Sequence, residues 1–228
     1  MYSLVLLSAG KGTRFGKQVP KQYLTLAGKP MLVHTLERIN KIDKIDEIII
    51  VCEQEYTEKI QKFLTDYNII KKVVFVQGGN TRQESMYNGL LKASNEKIIV
   101  HEAARPFVTK KDFMDLIECP AENVTYTYEI PFTVLKKDSN QKLSGILERK
   151  ELVNIQLPQK FNKADLLNAH RIACEKNLSF TEDASMVYYT EKEVFCLPGK
   201  SYNIKMTEYI DLLYGEMLIK EDYIKEEI

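Results

Sequence analysis

The chain has 228 residues, 28% of them charged, and its 32 Lys plus Arg balance 32 Asp plus Glu for a formal net charge of zero. That balance excludes a bulk basic surface of the kind that draws a protein onto nucleic acid or anionic lipid, so neither is expected as a partner and any anion binding must be local. The length suits one domain, 1–228, able to bury a core without metals or crosslinks.

The first element, YSLVLLSA, is an uninterrupted apolar run and predicts a strand buried on both faces. EIIIVCE (47–53), KVVFVQ (72–77) and KIIVHEA (97–103) read the same way. Helical periodicity fills the intervals. KPMLVHTLERINKI places Met31, Leu32, Thr35, Leu36 and Ile39 on one face, and QEYTEKIQKFLTDY and RQESMYNGLLKA follow the second and third strands. This alternation predicts a Rossmann-like three-layer α/β sandwich, mostly parallel, with helices on both faces. After ARPFVTKKDFMDLIE the pattern changes: residues 123–158 are rich in β-branched residues and tyrosine, with a polar turn at KKDSNQK. A protruding β-hairpin arm is expected at roughly 125–158, and such an arm needs packing, as against a second subunit. Helix returns at NKADLLNAHRIACEKN, a short strand at EVFCLPG, and a last helix from near Glu208. The cysteines, Cys52, Cys119, Cys174 and Cys196, form no CxxC pair, which argues against zinc and a disulfide framework. The opening apolar run of about seven residues is too short for a signal segment, and no run nears the roughly 18 of a membrane span. A reduced, cytoplasmic protein is expected.

Directly after the first strand comes SAGKGTRFGKQVPKQ. A Walker A loop needs four residues between its first glycine and Gly-Lys-Ser/Thr, whereas Gly12 and Gly16 enclose three and Gln18 follows Lys17. A dinucleotide fingerprint needs glycine where Phe15 stands. What remains is a turn whose glycines admit close backbone approach to an anion, crowded with Lys11, Arg14, Lys17 and Lys21. A solvated glycine-rich turn is the alternative reading.

The longer stretch SAGKGTRFGKQVPKQYLTLAGKPMLVHTLE resembles the opening of the nucleotide-sugar pyrophosphorylase-like transferases. PKQYLTLAGKPML narrows the resemblance to the cytidylyltransferases acting on 2-C-methylerythritol 4-phosphate or ribitol 5-phosphate. GGNTRQESMYNGL (78–90), VHEAARPFV (100–108), ERKELVNIQLPQKF (148–161), TEDASMV (181–187) and NIKMT (203–207) extend it in order over nearly the whole chain.

The resemblance implies attack of an acceptor phosphate on the α-phosphorus of CTP, a reaction of two polyanions in which placing cations is the main requirement. It implies Arg14, Lys21 and Lys205 as the catalytic cations, and Ser8, Ala9, Gly10, Lys11, Gly12, Gly79, Asn80, Ser85 and Ala103 around the nucleotide. Ser85 is read as a helix cap bonding near the base, and Arg82 as steadying the loop or the nucleotide. Glu102, where the family usually has Asp, is the implied ligand of Mg²⁺. Tyr202 replaces an Asp that often precedes Asn-Ile-Lys, which removes one carboxylate if that Asp serves the metal. Arg105, Thr133 and Arg149 are implied to grip the acceptor, the last two from the arm of a partner subunit in a homodimer with exchanged arms. Phe132 and Leu157 replace an acid and a hydroxyl of the family pattern; lost polar partners should weaken methylerythritol phosphate. The reading therefore leans to a CDP-polyol product from ribitol 5-phosphate or glycerol phosphate, as in cell-wall or capsule synthesis. The alternatives are methylerythritol phosphate, for isoprenoid precursors, or a noncatalytic nucleotide-binding scaffold. His101 reads as a core residue, His34 as lying on a helix face, and His170 has no evident partner. Asp183 either supports the site edge or caps a helix.

Overall fold

The four apolar runs lie side by side as β1 (Tyr2–Leu7), β4 (Ile45–Cys52), β5 (Lys72–Gln77) and β6 (Lys97–Glu102). They are parallel, in the order β6-β1-β4-β5. This computed structural model describes residues 1–10 and 19–224. Three more strands complete a seven-stranded sheet beyond β6: β10 (Val153–Asn162) runs antiparallel to β6, then come β7 (Val124–Glu129) and β11 (Phe195–Pro198).

Both faces are covered because successive side chains of a strand point to opposite sides. Leu4, Leu6, Ile48, Ile50 and Ile99 enter one core with Leu32, Leu36 and Ile39 of α1 (Met31–Asn40), Ile60 and Leu64 of α2 (Thr57–Asp66), and Phe113 and Leu116 of α4 (Lys110–Glu118). Val5, Ile49, Val51, Ile98 and Val100 enter the other. Their partners are Met86 and Leu90 of α3 (Arg82–Leu90), Leu166 and Ala169 of α5 (Lys163–Glu175), and Met186 and Val187 of α6 (Asp183–Tyr189). The predicted three-layer sandwich is therefore present.

A third, smaller core forms where α7 (Tyr209–Lys220) packs Leu212 and Leu218 against Leu26, Met31, Phe107 and Met206. Gly215 makes that approach possible, since a Cβ there would stand 2.7 Å from Met206 Cε and 2.8 Å from Phe107 Cζ. Leu26 belongs to a small hairpin that the sequence reading passed over, β2 (Thr25–Leu26) with β3 (Lys29–Pro30). Its two-residue turn, Ala27 and Gly28, has positive φ at both positions, the twist that joins antiparallel strands tightly.

The arm is shorter than the predicted range of 125–158. Val124 to Tyr126 of β7 and Gln156 to Phe161 of β10 are buried within the main sheet, and the exposed part lies between them. It carries β8 (Leu135–Lys137) and β9 (Leu143–Ile146), antiparallel. Asp138 closes the polar turn by accepting from Asn140 N and Lys142 N, both at 2.9 Å. Phe132 and Ile146 are 76% and 89% exposed on this arm. Among the described residues no helix is long and apolar enough to cross a membrane.

Candidate active site

The carboxyl ends of β1, β4, β5 and β6 surround a cavity of about 550 Å³, the place where an open parallel sheet admits ligands because loops diverge there. Ser8, Ala9, Gly10, Lys21, Gly79, Asn80, Ser85, Glu102, Ala103 and Lys205 all line it. The tertiary fold thus gathers these predicted positions from five separate stretches of chain. Lys11, Gly12 and Arg14 lie outside the described residues.

Each wall has a local cause. Gln22, buried beside Lys21, donates from Nε2 to the carbonyls of Ser8 at 2.5 Å and Gly10 at 3.1 Å, which ties the PKQ segment to the end of β1. On the opposite wall Gly78 packs against Ala9 so closely that a Cβ would lie 2.4 Å from Ala9 Cβ. Thr81, not Ser85, is the N-cap of α3: its side chain accepts from Glu84 N at 3.0 Å. Ser85 instead accepts the Gly79 N–H at 3.0 Å, folding the loop back over the start of the helix. Asn80 N donates to Glu84 Oε2 at 2.7 Å.

The floor is electrostatic. Lys205 Nζ lies 2.8 Å from Glu102 Oε2 and 3.0 Å from Oε1, Arg82 Nε lies 3.1 Å from Oε1, and Arg105 Nε is 3.8 Å from Oε2. Burial alone would push the Glu102 carboxyl up; Lys205, Arg82 and Arg105 outweigh it and hold the group down, at about 2. Arg82 reaches further, with Nη2 3.3 Å from Glu182 and Nη1 2.9 Å from Asp183. Burial raises Glu182 to about 6 against the opposing pull of Arg82. Of the two readings left open for Asp183, support of the site edge is the one its contacts match: α6 begins at Asp183 and its carboxylate meets Arg82. His170, which offered no partner in the sequence, lies 3.9 Å from Asp183 and against the Tyr87 ring. His101 is fully buried, its ring edge-on to Phe113 and bonded to the Arg105 carbonyl; burial drives it down to about 3, so it is neutral and no base. His34 bonds the Leu26 carbonyl from α1.

Lys205 is held by its neighbours. Met206 N donates to the Ala104 carbonyl at 2.8 Å, and Asn203 Nδ2 to that of Leu157 at 2.6 Å. Tyr202 turns away from the cavity and donates its hydroxyl to Asp112 of α4, at 3.2 and 3.3 Å. It serves the helix packing, so the position contributes nothing to the cavity.

The acceptor residues are not brought together within one chain. Arg105 is buried behind Glu102 and donates to the Asn203 carbonyl at 2.9 Å. Thr133 is exposed on the arm, and Arg149 donates to the Pro131 carbonyl there at 3.3 Å. Leu157 is fully buried among Val100, Phe161 and Leu166, and Phe132 projects from the arm; neither lines the cavity of its own chain. Sequence reading missed Gln22, Glu53 and Gln77, which line the cavity, and the joint hold of Glu102, Glu182 and Asp183 on Arg82. Only the adjacent Glu-Asp pair in TEDAS hinted at the last.

Cations and glycine-backed loops at the end of a parallel sheet define an α/β protein with a site suited to a phosphate-bearing ligand. Residues 2–221 match the family model for 2-C-methyl-D-erythritol 4-phosphate cytidylyltransferase. Curated relatives of that name include the Bacillus cereus (strain ATCC 14579) protein, 36% identical over 222 residues, covering 96% of this chain and 98% of the relative. The chloroplastic protein of Oryza sativa is 33% identical over 223 residues, covering 96% and 74%. Among solved structures, the 4-diphosphocytidyl-2C-methyl-D-erythritol synthase of Anaerococcus prevotii superposes with TM-score 0.85 at 23% identity over 96% of each chain. The 2-C-methyl-D-erythritol 4-phosphate cytidylyltransferase of Thermus thermophilus gives 0.77 at 25% identity, over 95% of this chain and 98% of the other. The chain belongs to the 2-C-methyl-D-erythritol 4-phosphate cytidylyltransferase family; it is an enzyme, a CTP-dependent nucleotidyltransferase.

Proposed function

We propose that the chain transfers CMP from CTP to the phosphate of 2-C-methyl-D-erythritol 4-phosphate, releasing pyrophosphate, with the whole chain acting as one cytidylyltransferase domain. The sequence lean towards ribitol or glycerol phosphate, and with it cell-wall or capsule synthesis, gives way. It rested on lost polar partners at Phe132 and Leu157, yet Leu157 is a core residue with no access to the cavity. The family match over residues 2–221 and the names of the relatives favour methylerythritol phosphate.

The observation that carries the mechanism is the meeting of Lys21, Lys205 and Arg82 around one cavity with a single buried carboxylate, Glu102. In this reading the triphosphate lies over Gly10, with Lys21 on one side and Lys205 facing the α-phosphate from the other. Lys205 exchanges its contact with Glu102 for phosphate oxygen as negative charge develops. Arg14, outside the described residues, keeps its proposed place over the triphosphate. Glu102, an anionic oxygen donor in the cavity wall, is the residue that would hold Mg²⁺ beside the phosphates; among the described residues no three acidic, His or Cys side chains gather for a metal. A cation of this kind keeps several waters and is held largely by substrate phosphates. Bound there, Mg²⁺ would neutralise charge on the triphosphate. Thr133 and Arg149 act on the acceptor from the arm of a second copy, since they stand far out on their own chain's arm.

Pyrophosphate release from CTP, measured with 2-C-methylerythritol 4-phosphate, ribitol 5-phosphate and glycerol 3-phosphate at falling protein concentration, tests both parts. Methylerythritol phosphate should be preferred, and specific activity should decline as a dimer dissociates. Preference for ribitol 5-phosphate would sink the substrate assignment, and constant activity from a proven monomer would sink the exchanged arms.

A further inference from the structure

At the amino ends of the central strands lies a second cavity, of about 340 Å³. Tyr2 opens β1, Lys97 opens β6 and Asn162 closes the antiparallel β10, and all three line it. The active-site cavity stands at the carboxyl ends of β1 and β6, which have six residues each. At about 3.3 Å per residue the two cavities are separated by roughly 20 Å of sheet. Residues 117–122, the end of α4 and the turn after it, close the other side. The Tyr2 hydroxyl holds them there by donating to the Ile117 carbonyl at 3.3 Å.

Lys160 sets this cavity apart. In β10 it lies directly across from Ile99 of β6 and Val124 of β7, both completely buried, and it is itself only 4% exposed. A strand position between two such neighbours calls for an apolar side chain. The ammonium has one acceptor, the Cys119 carbonyl at 2.5 Å, and so caps the end of α4. That bond uses one of its three protons. Lys97, exposed at the mouth, holds Nζ 5.7 Å from the centre of the Tyr2 ring. Burial lowers the Lys160 ammonium from its ordinary value; Cys119 opposes this, and the like charge of Lys97 adds to it. Among the described residues neither lysine forms an ion pair. Glu118 and Glu122 also border the cavity, but both are exposed, where water screens them.

A helix cap alone needs neither the cavity nor the second lysine. A buried cation without a counter-charge is costly, and an anion entering from solution supplies one. Tyr2, Ile117, Pro120 and Ala121 add apolar lining, which favours a ligand with a hydrocarbon body over a bare inorganic ion. The volume suits a compact molecule, since ligand cavities run from about 300 to 1,000 Å³.

We propose that this cavity binds a small organic anion, a carboxylate or phosphate group on a compact apolar body, with its head group held by Lys160 and Lys97. The site is separate from the cytidylyl-transfer cavity and does not rest on that reading.

The test titrates benzoate, phenyl phosphate and the neutral benzyl alcohol into the full chain labelled with ¹⁵N. Amide shifts of Lys97, Ala121 and Asn162 report on this cavity, and those of Gly10, Gly79 and Ala103 on the active site. At least one anion should give saturable shifts in the first set, and whether it is benzoate or phenyl phosphate names the head group. Benzyl alcohol should bind at least ~10-fold more weakly, since a hydrogen bond to a charged group is worth ~10- to 100-fold. Lys160→Met, which puts an unbranched apolar chain at the strand position, should weaken anion binding by that order. Lys97→Gln, at the exposed mouth where folding is not at stake, should weaken it several-fold. No saturable shift at Lys97, Ala121 and Asn162 with either anion overturns the site. Benzyl alcohol binding as tightly as the anions, or anion binding unchanged in the two variants, overturns the assignment of the lysines to an anionic head group.

Discussion

Replacing Arg82 by methionine keeps the bulk of the side chain and removes its charge. In the native protein the guanidinium meets Glu102 at 3.1 Å, Glu182 at 3.3 Å and Asp183 at 2.9 Å, and is itself 23% exposed. Lys205 and Arg105 still face Glu102 in the variant, so the groups orphaned are Glu182 and the almost completely buried Asp183. Removing one partner of a buried ion pair costs about 3–5 kcal/mol, because the remaining charge is left desolvated. At about 2–4 °C per kcal/mol for a domain of this size, Tm should fall by about 6–20 °C. The loss should depend on pH with a definite sign. Glu182 sits at about 6 even with Arg82 beside it, and without that cation it must rise further. The folded variant then binds a proton near and above pH 6 that the folded wild type does not, while the unfolded chains titrate alike. Destabilisation should therefore shrink on going from pH 8 to pH 6, by at most about 1.4 kcal/mol per pH unit. Thermal unfolding of both proteins at the two pH values reads this directly. A variant as stable as the wild type, or a Tm loss equal at pH 6 and pH 8, would refute the account of the Arg82 network.

Glu47 is nearly fully buried; burial pushes its carboxyl up, but Ser3, Ser94 and Lys72 overcome that and hold it at about 2, below its ordinary 4.5. Its contribution is present above pH 4.5 and is lost as pH falls towards 2, so Glu47→Gln should be less stable at pH 7 and flatten the acid limb of a stability–pH curve; an unaltered limb contradicts this. Gly89 backs α3 onto the sheet, and a Cβ there would lie 2.6 Å from Val5 Cγ1 and 2.8 Å from Val51 Cγ2. Although alanine favours helix, Gly89→Ala should lose about 1–3 kcal/mol in denaturant unfolding, because neither central strand can yield; a gain in stability would show that the layers separate easily.

Much of the sandwich was legible because a strand buried on both faces must be apolar throughout, and EIIIVCE or KIIVHEA has few other places to go. The helices announced themselves by period, and the membership of Ser8, Gly79, Ser85, Glu102 and Lys205 in one site by the order of their motifs. The β2–β3 hairpin went unread because two-residue strands carry no pattern, and the arm was overestimated because β7 and β10 look alike inside and outside the sheet. Leu157 shows the limit most clearly. In the sequence it is a hydroxyl lost from a substrate pocket, whereas packing against Phe161 and Leu166 makes it part of the core. Composition and periodicity are local properties, and they were enough to mark which segments are strands or helices and which carry charge. Which charges face one another was settled when the parallel strands aligned their ends: there Arg82 found three carboxylates and Lys205 came to Glu102. Ion pairs and hydrogen bonds reach only a few ångströms, and Lys205 and Glu102, 103 positions apart in sequence, meet at that range through tertiary packing alone.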